Sequence, residues 1–84
     1  MNREDLVLIV EKAVQSYGGS ASVVQVAQYI WKHHEPELKA AGNLFYTWQY
    51  DMRWAALKLR KMRRLAGAKV APKGHWQIPP RHAL

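Results

Sequence analysis

The apolar residues of this chain keep a helical spacing through most of its length and then change to alternation near the end. That single change of period limits the fold more than any other feature. Leu6, Ile9, Val10, Ala13, Val14 and Tyr17 fall at i, i+3, i+4, i+7, i+8 and i+11, which is one stripe of a helix. Asn2 can cap this helix, Glu4 and Asp5 suit the positive end of its dipole, and Gly18-Gly19 stop it. After a short extended link at Ser20-Ala21, Ser22 is placed to cap a second helix. Val23, Val26, Ala27 and Ile30 give that helix its buried side, with Tyr29 and Trp31 at the edge. It is expected to end near His33-His34, and Glu35-Pro36-Glu37 reads as a fresh start because proline suits a first helical turn. Leu38-Lys39-Ala40-Ala41 would add about one turn before Gly42 ends it.

A third helix begins between Asn43 and Thr47, with Thr47 a plausible cap. Trp48, Met52, Ala55, Leu59 and Met62 alternate spacings of four and three, giving a buried seam that Trp54 and Leu65 widen. On the opposite side lie Gln49, Tyr50, Arg53, Leu57, Arg60, Lys61 and Arg64. Beyond Arg64 the period becomes two. Ala68-Lys69-Val70-Ala71 and His75-Trp76-Gln77-Ile78 alternate as strands do, with Val70, Trp76 and Ile78 inward. Between them Pro72-Lys73-Gly74 puts proline and glycine where a type I turn wants them. The predicted fold is therefore mainly α with a small β-sheet. In detail it is a winged helix-turn-helix, three helices plus a C-terminal β-hairpin wing, over residues 1–79. Residues 80–84 form a short basic tail, ended off from the second strand by Pro79-Pro80. The connection from His33 to Thr47 is longer than the three or four residues usual in that motif.

The formal net charge is +7 and is unevenly placed. Residues 1–42 hold four basic side chains and five acidic ones, whereas residues 43–84 hold nine basic side chains and the single Asp51. Five of the seven positions 58–64 are basic. Cations offsetting a helix C-terminal dipole account for two or three such charges, so the remainder points to a polyanionic partner, nucleic acid first.

Other classes are disfavoured by what the chain lacks. Eighty-four residues make one domain, and a hydrophobic fraction of 49% is enough for one core. With no cysteine, neither disulfides nor thiolate ligands support the fold, which fits a reducing cytoplasm, where a DNA-binding protein would be nucleoid-associated. Asn2-Arg3-Glu4-Asp5 and the interruption at Glu11-Lys12 do not read as a signal peptide, and no run approaches the ~20 apolar residues of a membrane span. Of the four histidines, His33 and His34 are adjacent and point different ways on a helix, while His75 and His82 stand apart, so no metal site and no other cofactor is expected. No serine, histidine and acid fall into an evident arrangement and no glycine-rich phosphate loop follows a strand, so the chain does not read as an enzyme. Trp48, Trp54 and Trp76 are placed as core rather than as stacking platforms for single-stranded bases. Trp31 and Tyr46 stay open, and an exposed Tyr46 beside Tyr50 would contact a base or sugar.

Met52-Arg53-Trp54-Ala55 with Leu59, and then Lys73-Gly74-His75-Trp76-Gln77-Ile78, resemble the N-terminal winged-helix domain of Mrr-type restriction endonucleases. That family shows a Trp-Ala pair with a leucine four residues after the alanine, then a glycine, an intervening residue, a tryptophan and a closing strand. The link Gly18-Gly19-Ser20-Ala21 is similar to the family's turn between its first two helices, and the likeness runs from about Leu6 to Ile78. Where the family carries Asn-Arg before the seam this chain has Tyr50-Asp51, so no base-reading role carries over there. The nuclease half has no counterpart in this sequence, so the resemblance implies a DNA-binding fold without cleavage chemistry.

The expected partner is duplex DNA, for a transcriptional regulator or an accessory DNA-binding protein. Gln49, Tyr50 and Arg53 would lie nearest the bases in the major groove. Arg60, Lys61 and Arg64, with Lys69 and Lys73 of the wing, would grip flanking phosphates. The alternative is a winged helix that meets an acidic protein partner, and a homodimer stays open under either reading.

Overall fold

The computed structural model describes residues 1–79, and the basic tail expected at residues 80–84 lies outside the described residues. Along the chain run α1 (Asp5–Ser16), β1 (Ser20–Ser22), α2 (Val23–Lys39), α3 (Leu44–Lys61) and β2 (His75–Gln77). This is a winged-helix layout, mainly helical with a small antiparallel sheet.

Local chemistry sets most boundaries. The Asp5 backbone N–H donates to Asn2 Oδ1 at 3.1 Å and the Asn2 N–H donates to Asp5 Oδ2 at 2.9 Å, a reciprocal cap ahead of α1. Ser22 and Gln25 repeat that device at α2, at 3.0 and 2.9 Å. Leu6, Val10, Ala13 and Val14 are fully buried as their spacing predicts, but Tyr17 falls beyond the last turn and is exposed. The α2 backbone breaks at His34 (φ −132°, ψ 15°), two residues before Pro36. The expected end and fresh start are thus one bent helix. Its second piece points Leu38 into the core, and Pro36 in the first turn of that piece forfeits no hydrogen bond. The link to α3 is consequently four residues, 40–43, with Gly42 at φ +67° where a side chain would be strained. The connection expected from His33 to Thr47 thus shortens to the usual helix-turn-helix length.

In α3, Trp48, Met52, Ala55 and Leu59 form the buried seam, joined by Leu44 and Ala56. Met62 does not belong to it. The helix ends at Lys61, Arg63 turns the chain at φ +60°, and Leu65 closes the seam while Met62 stands 49% exposed. Thr47 does not cap the helix either. It sits in the first turn, where its hydroxyl donates to Asp51 Oδ2 at 2.7 Å.

The wing differs from the expected hairpin in its outgoing limb. Residues 68–71 form a turn, with the Val70 and Ala71 N–H groups donating back to the Gly67 carbonyl. Ala71 is buried and Val70 exposed, the reverse of the alternation read from sequence. β2 pairs instead with β1, in the register Ser20↔Gln77, Ala21↔Trp76, Ser22↔His75. A single bond from the Ala66 N–H to the Gln77 carbonyl (2.7 Å) is what joins the outgoing limb to β2. With Gly67, Ala68 and Ala71 in so short a stretch, there is little side-chain surface to stabilise a strand.

Trp76 is 6% exposed, whereas Trp54 is only half-buried, with the Arg3 guanidinium carbon 3.6 Å from its ring centroid. Trp76→Ala should therefore destabilise the fold by about 3–5 kcal/mol. Trp54→Ala should cost less, about 2–3 kcal/mol, from half that burial plus a cation–π contact of about 0.5–1 kcal/mol. Urea unfolding of both variants checks the order. Equal losses would place Trp54 in the core, where its spacing had put it.

Candidate nucleic-acid interface

Because α3 buries one seam, its other side is free. Tyr46 (83% exposed), Gln49, Tyr50, Arg53, Leu57 and Lys61 follow one another along that outward stripe. Two depressions flank it. The first, between α2 and the start of α3, has an apolar wall that includes Val24, Trp31 and Phe45, and Gln49 and Arg53 stand at its edge. Trp31 stacks on Trp48 at 6.1 Å with the rings nearly parallel, so Trp31 braces the two helices from the edge of the core. The second is a notch between α3 and the wing turn, lined by Arg53, Arg60, Lys73 and His75 over Ala56 and Trp76. Arg53 borders both.

The residues singled out from sequence thus divide into groups. Gln49 and Arg53 share the α2–α3 depression, and Arg53, Arg60 and Lys73 share the notch. Tyr50 projects from the outward stripe, with Lys61 further along, beside Trp54 and Lys58. Lys69 is exposed on the wing turn. Arg64 is turned away from this set. Its Nε donates to Glu11 Oε2 on α1 at 2.6 Å, and that hydrogen bond, then the Coulomb attraction, raises the Arg64 pKa above its ordinary value. Since α3 stops at Lys61, Arg64 does not continue the helical face on which its spacing had placed it. The acidic residues of the first half are accordingly not all remote from the basic segment.

Two features escape sequence reasoning. His75 is half-buried in the notch, its Nδ1 3.2 Å from the Lys73 carbonyl, a placement that follows from pairing with Ser22 rather than from any local pattern. Trp54 is bordered by Arg3 and by Lys58, whose Nζ lies 5.1 Å from the ring centroid. The half-apolar neighbourhood of Trp54, with Lys58 one turn ahead of it, is the only sequence signal for that. Among the described residues no three histidines, cysteines or carboxylates come together to hold a metal ion, and no helix is long and apolar enough to cross a membrane.

Comparison of the chain with protein-family models, curated proteins and solved structures finds no match.

The Glu11–Arg64 link joins residues 53 positions apart and should behave as one unit. In a double-mutant cycle, Glu11→Gln and Arg64→Gln should be non-additive in the urea midpoint, the double variant losing less than the sum of the singles. Strict additivity would mean that the pair does not persist in solution.

Proposed function

We propose that this protein is a duplex-DNA-binding winged-helix protein, a transcriptional regulator or accessory DNA-binding protein, working at the nucleoid of the cytoplasm. One observation carries the reading. The free face of α3 presents an amide, a phenol and an arginine in its first three turns, and cations at its far end and on the adjoining wing. Amide and guanidinium groups match base edges in pairs of hydrogen bonds, and lysines on a flank match phosphates as point charges. On this reading α3 lies in the major groove with Gln49, Tyr50 and Arg53 toward the bases. Arg60, Lys61, Lys69 and Lys73 lie along the backbone, and Arg64 holds α1 rather than DNA. The resemblance of the Trp54-Ala55 and Gly74-His75-Trp76 segments to the Mrr-type winged helix agrees with this function.

The second reading, a docking module for an acidic protein, draws on the apolar wall of the α2–α3 depression and on exposed Val24, Tyr46 and Leu57. The two separate in one titration. Affinity for a random duplex should fall log-linearly with salt, by about 0.9 in slope for each phosphate engaged. A protein-docking module would show no such affinity.

Within that titration, replacing Lys69 and Lys73 together by glutamine should flatten the salt slope by roughly one to two units and weaken all duplexes alike. Arg64→Gln, already engaged by Glu11, should leave the slope unchanged. An unchanged slope for the lysine pair would remove the wing from the interface.

Arg53→Ala should instead lose about 1–3 kcal/mol of discrimination between a selected sequence and random DNA. Selection from a randomised duplex pool supplies the preferred site. Equal losses on both would leave DNA binding standing without base reading by Arg53.

A further inference from the structure

One buried side-chain polar atom among the described residues meets no hydrogen-bond partner, and it is Nε of Arg60. A donor taken out of water without an acceptor is costly, and native structures seldom keep one without a reason. Arg60 lines the notch between α3 and the wing turn, together with Arg53, Lys73 and His75. Among the described residues no carboxylate lines it. Its floor, Ala56 at 1% and Trp76 at 6% exposed, is buried and apolar, which strengthens any charge-assisted hydrogen bond formed above it.

The opposite wall is braced as well. Gly74 adopts φ +76°, and its carbonyl accepts from the Val23 N–H at 3.1 Å, which fastens the wing turn to the start of α2. The His75 N–H donates to the Pro72 carbonyl at 3.0 Å, closing the turn that carries Lys73. The cations of the notch are therefore presented from two fixed elements and are not simply solvated chain ends. By contrast, Lys61 is exposed on the same helix and outside the notch.

We propose that this notch seats one phosphodiester group, and that the Arg60 side chain turns as the diester enters, so that its covered and unpartnered Nε–H gains an acceptor in addition to the attraction of its charge. Duplex DNA as the source of that diester rests on the function proposed above. A guanidinium presents its donors in a fixed plane and an ammonium does not, so lysine at position 60 would keep the charge and lose the Nε–H donor.

The test has two arms. In the first, the arginine Nε–H resonances of the unmutated protein are followed while dimethyl phosphate, and separately inorganic phosphate, is added. The Arg60 resonance should shift saturably with dimethyl phosphate, and further than those of Arg53, Arg63 and Arg64. No preferential shift, or a shift with inorganic phosphate alone, would overturn the seat. In the second, random duplex DNA is titrated at several salt concentrations against Arg60→Lys and Lys61→Gln. Arg60→Lys should weaken binding about tenfold, the equivalent of one charge-assisted hydrogen bond, with the salt slope unchanged. Lys61→Gln should lower the slope by about one. Parent-like affinity in Arg60→Lys, at an unchanged unfolding midpoint, would refute the role of the Nε–H donor. Failure of the parent to bind duplex DNA, with the dimethyl phosphate response intact, would refute the DNA reading and leave the seat standing.

Discussion

The indole of Trp76 is buried opposite Ala21 in a ladder only three residues long, and few backbone hydrogen bonds hold such a sheet. Side-chain burial must therefore set its register. Because successive strand residues face opposite ways, a slip by one would bring Trp76 out and carry His75 and Gln77 in. The correct register is reinforced at three places outside the ladder. The Val23 N–H bonds the Gly74 carbonyl, the Ile78 N–H bonds the Gly19 carbonyl, and the Ala66 N–H bonds the Gln77 carbonyl. Together these draw the segment that follows α3, the start of α2 and the turn between α1 and β1 onto β2 and its flanks. The positions of Lys73 and His75 beside Arg60 are consequences of that burial.

How much of this was legible in the sequence follows from the range of each interaction. The three helices were readable because each repeats its apolar stripe several times, and α1 and α2 also carry a capping side chain and a glycine stop within a few residues. The places where the reading slipped are those where a distant contact decides. Residues 68–71 alternate as a strand would, but β2 finds its partner near the N-terminus, and no local pattern states which strand a given strand will choose. Met62 fits the seam by spacing, yet Arg63 leaves the helix in a left-handed conformation and Leu65 takes the buried place. Of the site, the composition of the α3 face and the wing lysines could be read directly. The capture of Arg64 by Glu11, the notch and the partial burial of Arg60 could not, since each depends on elements far apart in the chain.

Charge pairing explains why the basic face survives folding as a basic face. Five of the six acidic side chains have an immediate partner. Asp5 bonds Asn2, Glu11 bonds Arg64, Glu35 pairs with Lys39 at 2.7 Å, Glu37 meets His34 at 3.0 Å, and Asp51 accepts from Thr47. Asp51, the one acid in the basic half, is 8% exposed and is held inside the first turns of α3 rather than on its outward stripe. Among the described residues Arg53, Arg60, Lys61, Lys69 and Lys73 have no carboxylate partner. A surface pair contributes little to stability, so its larger effect in this molecule is to keep acids away from cations that are left free.

That freedom carries a further consequence for specificity under the proposed function. The stripe on α3 offers few groups able to tell one base from another, namely Gln49, Arg53 and the hydroxyls of Tyr46 and Tyr50, and it interleaves them with the aliphatic Leu57. Phosphate contacts supply affinity without sequence information, and the cations at the notch and on the wing turn are well placed to supply most of it. A protein so arranged holds its helix in position from the flank, so small errors in that flank misalign every base contact at once. The braced turn at Gly74 and the short ladder at Trp76 thus bear on specificity although neither presents a base-reading group. The element with the weakest backbone pairing in the fold is the one that sets the register of its most charged surface.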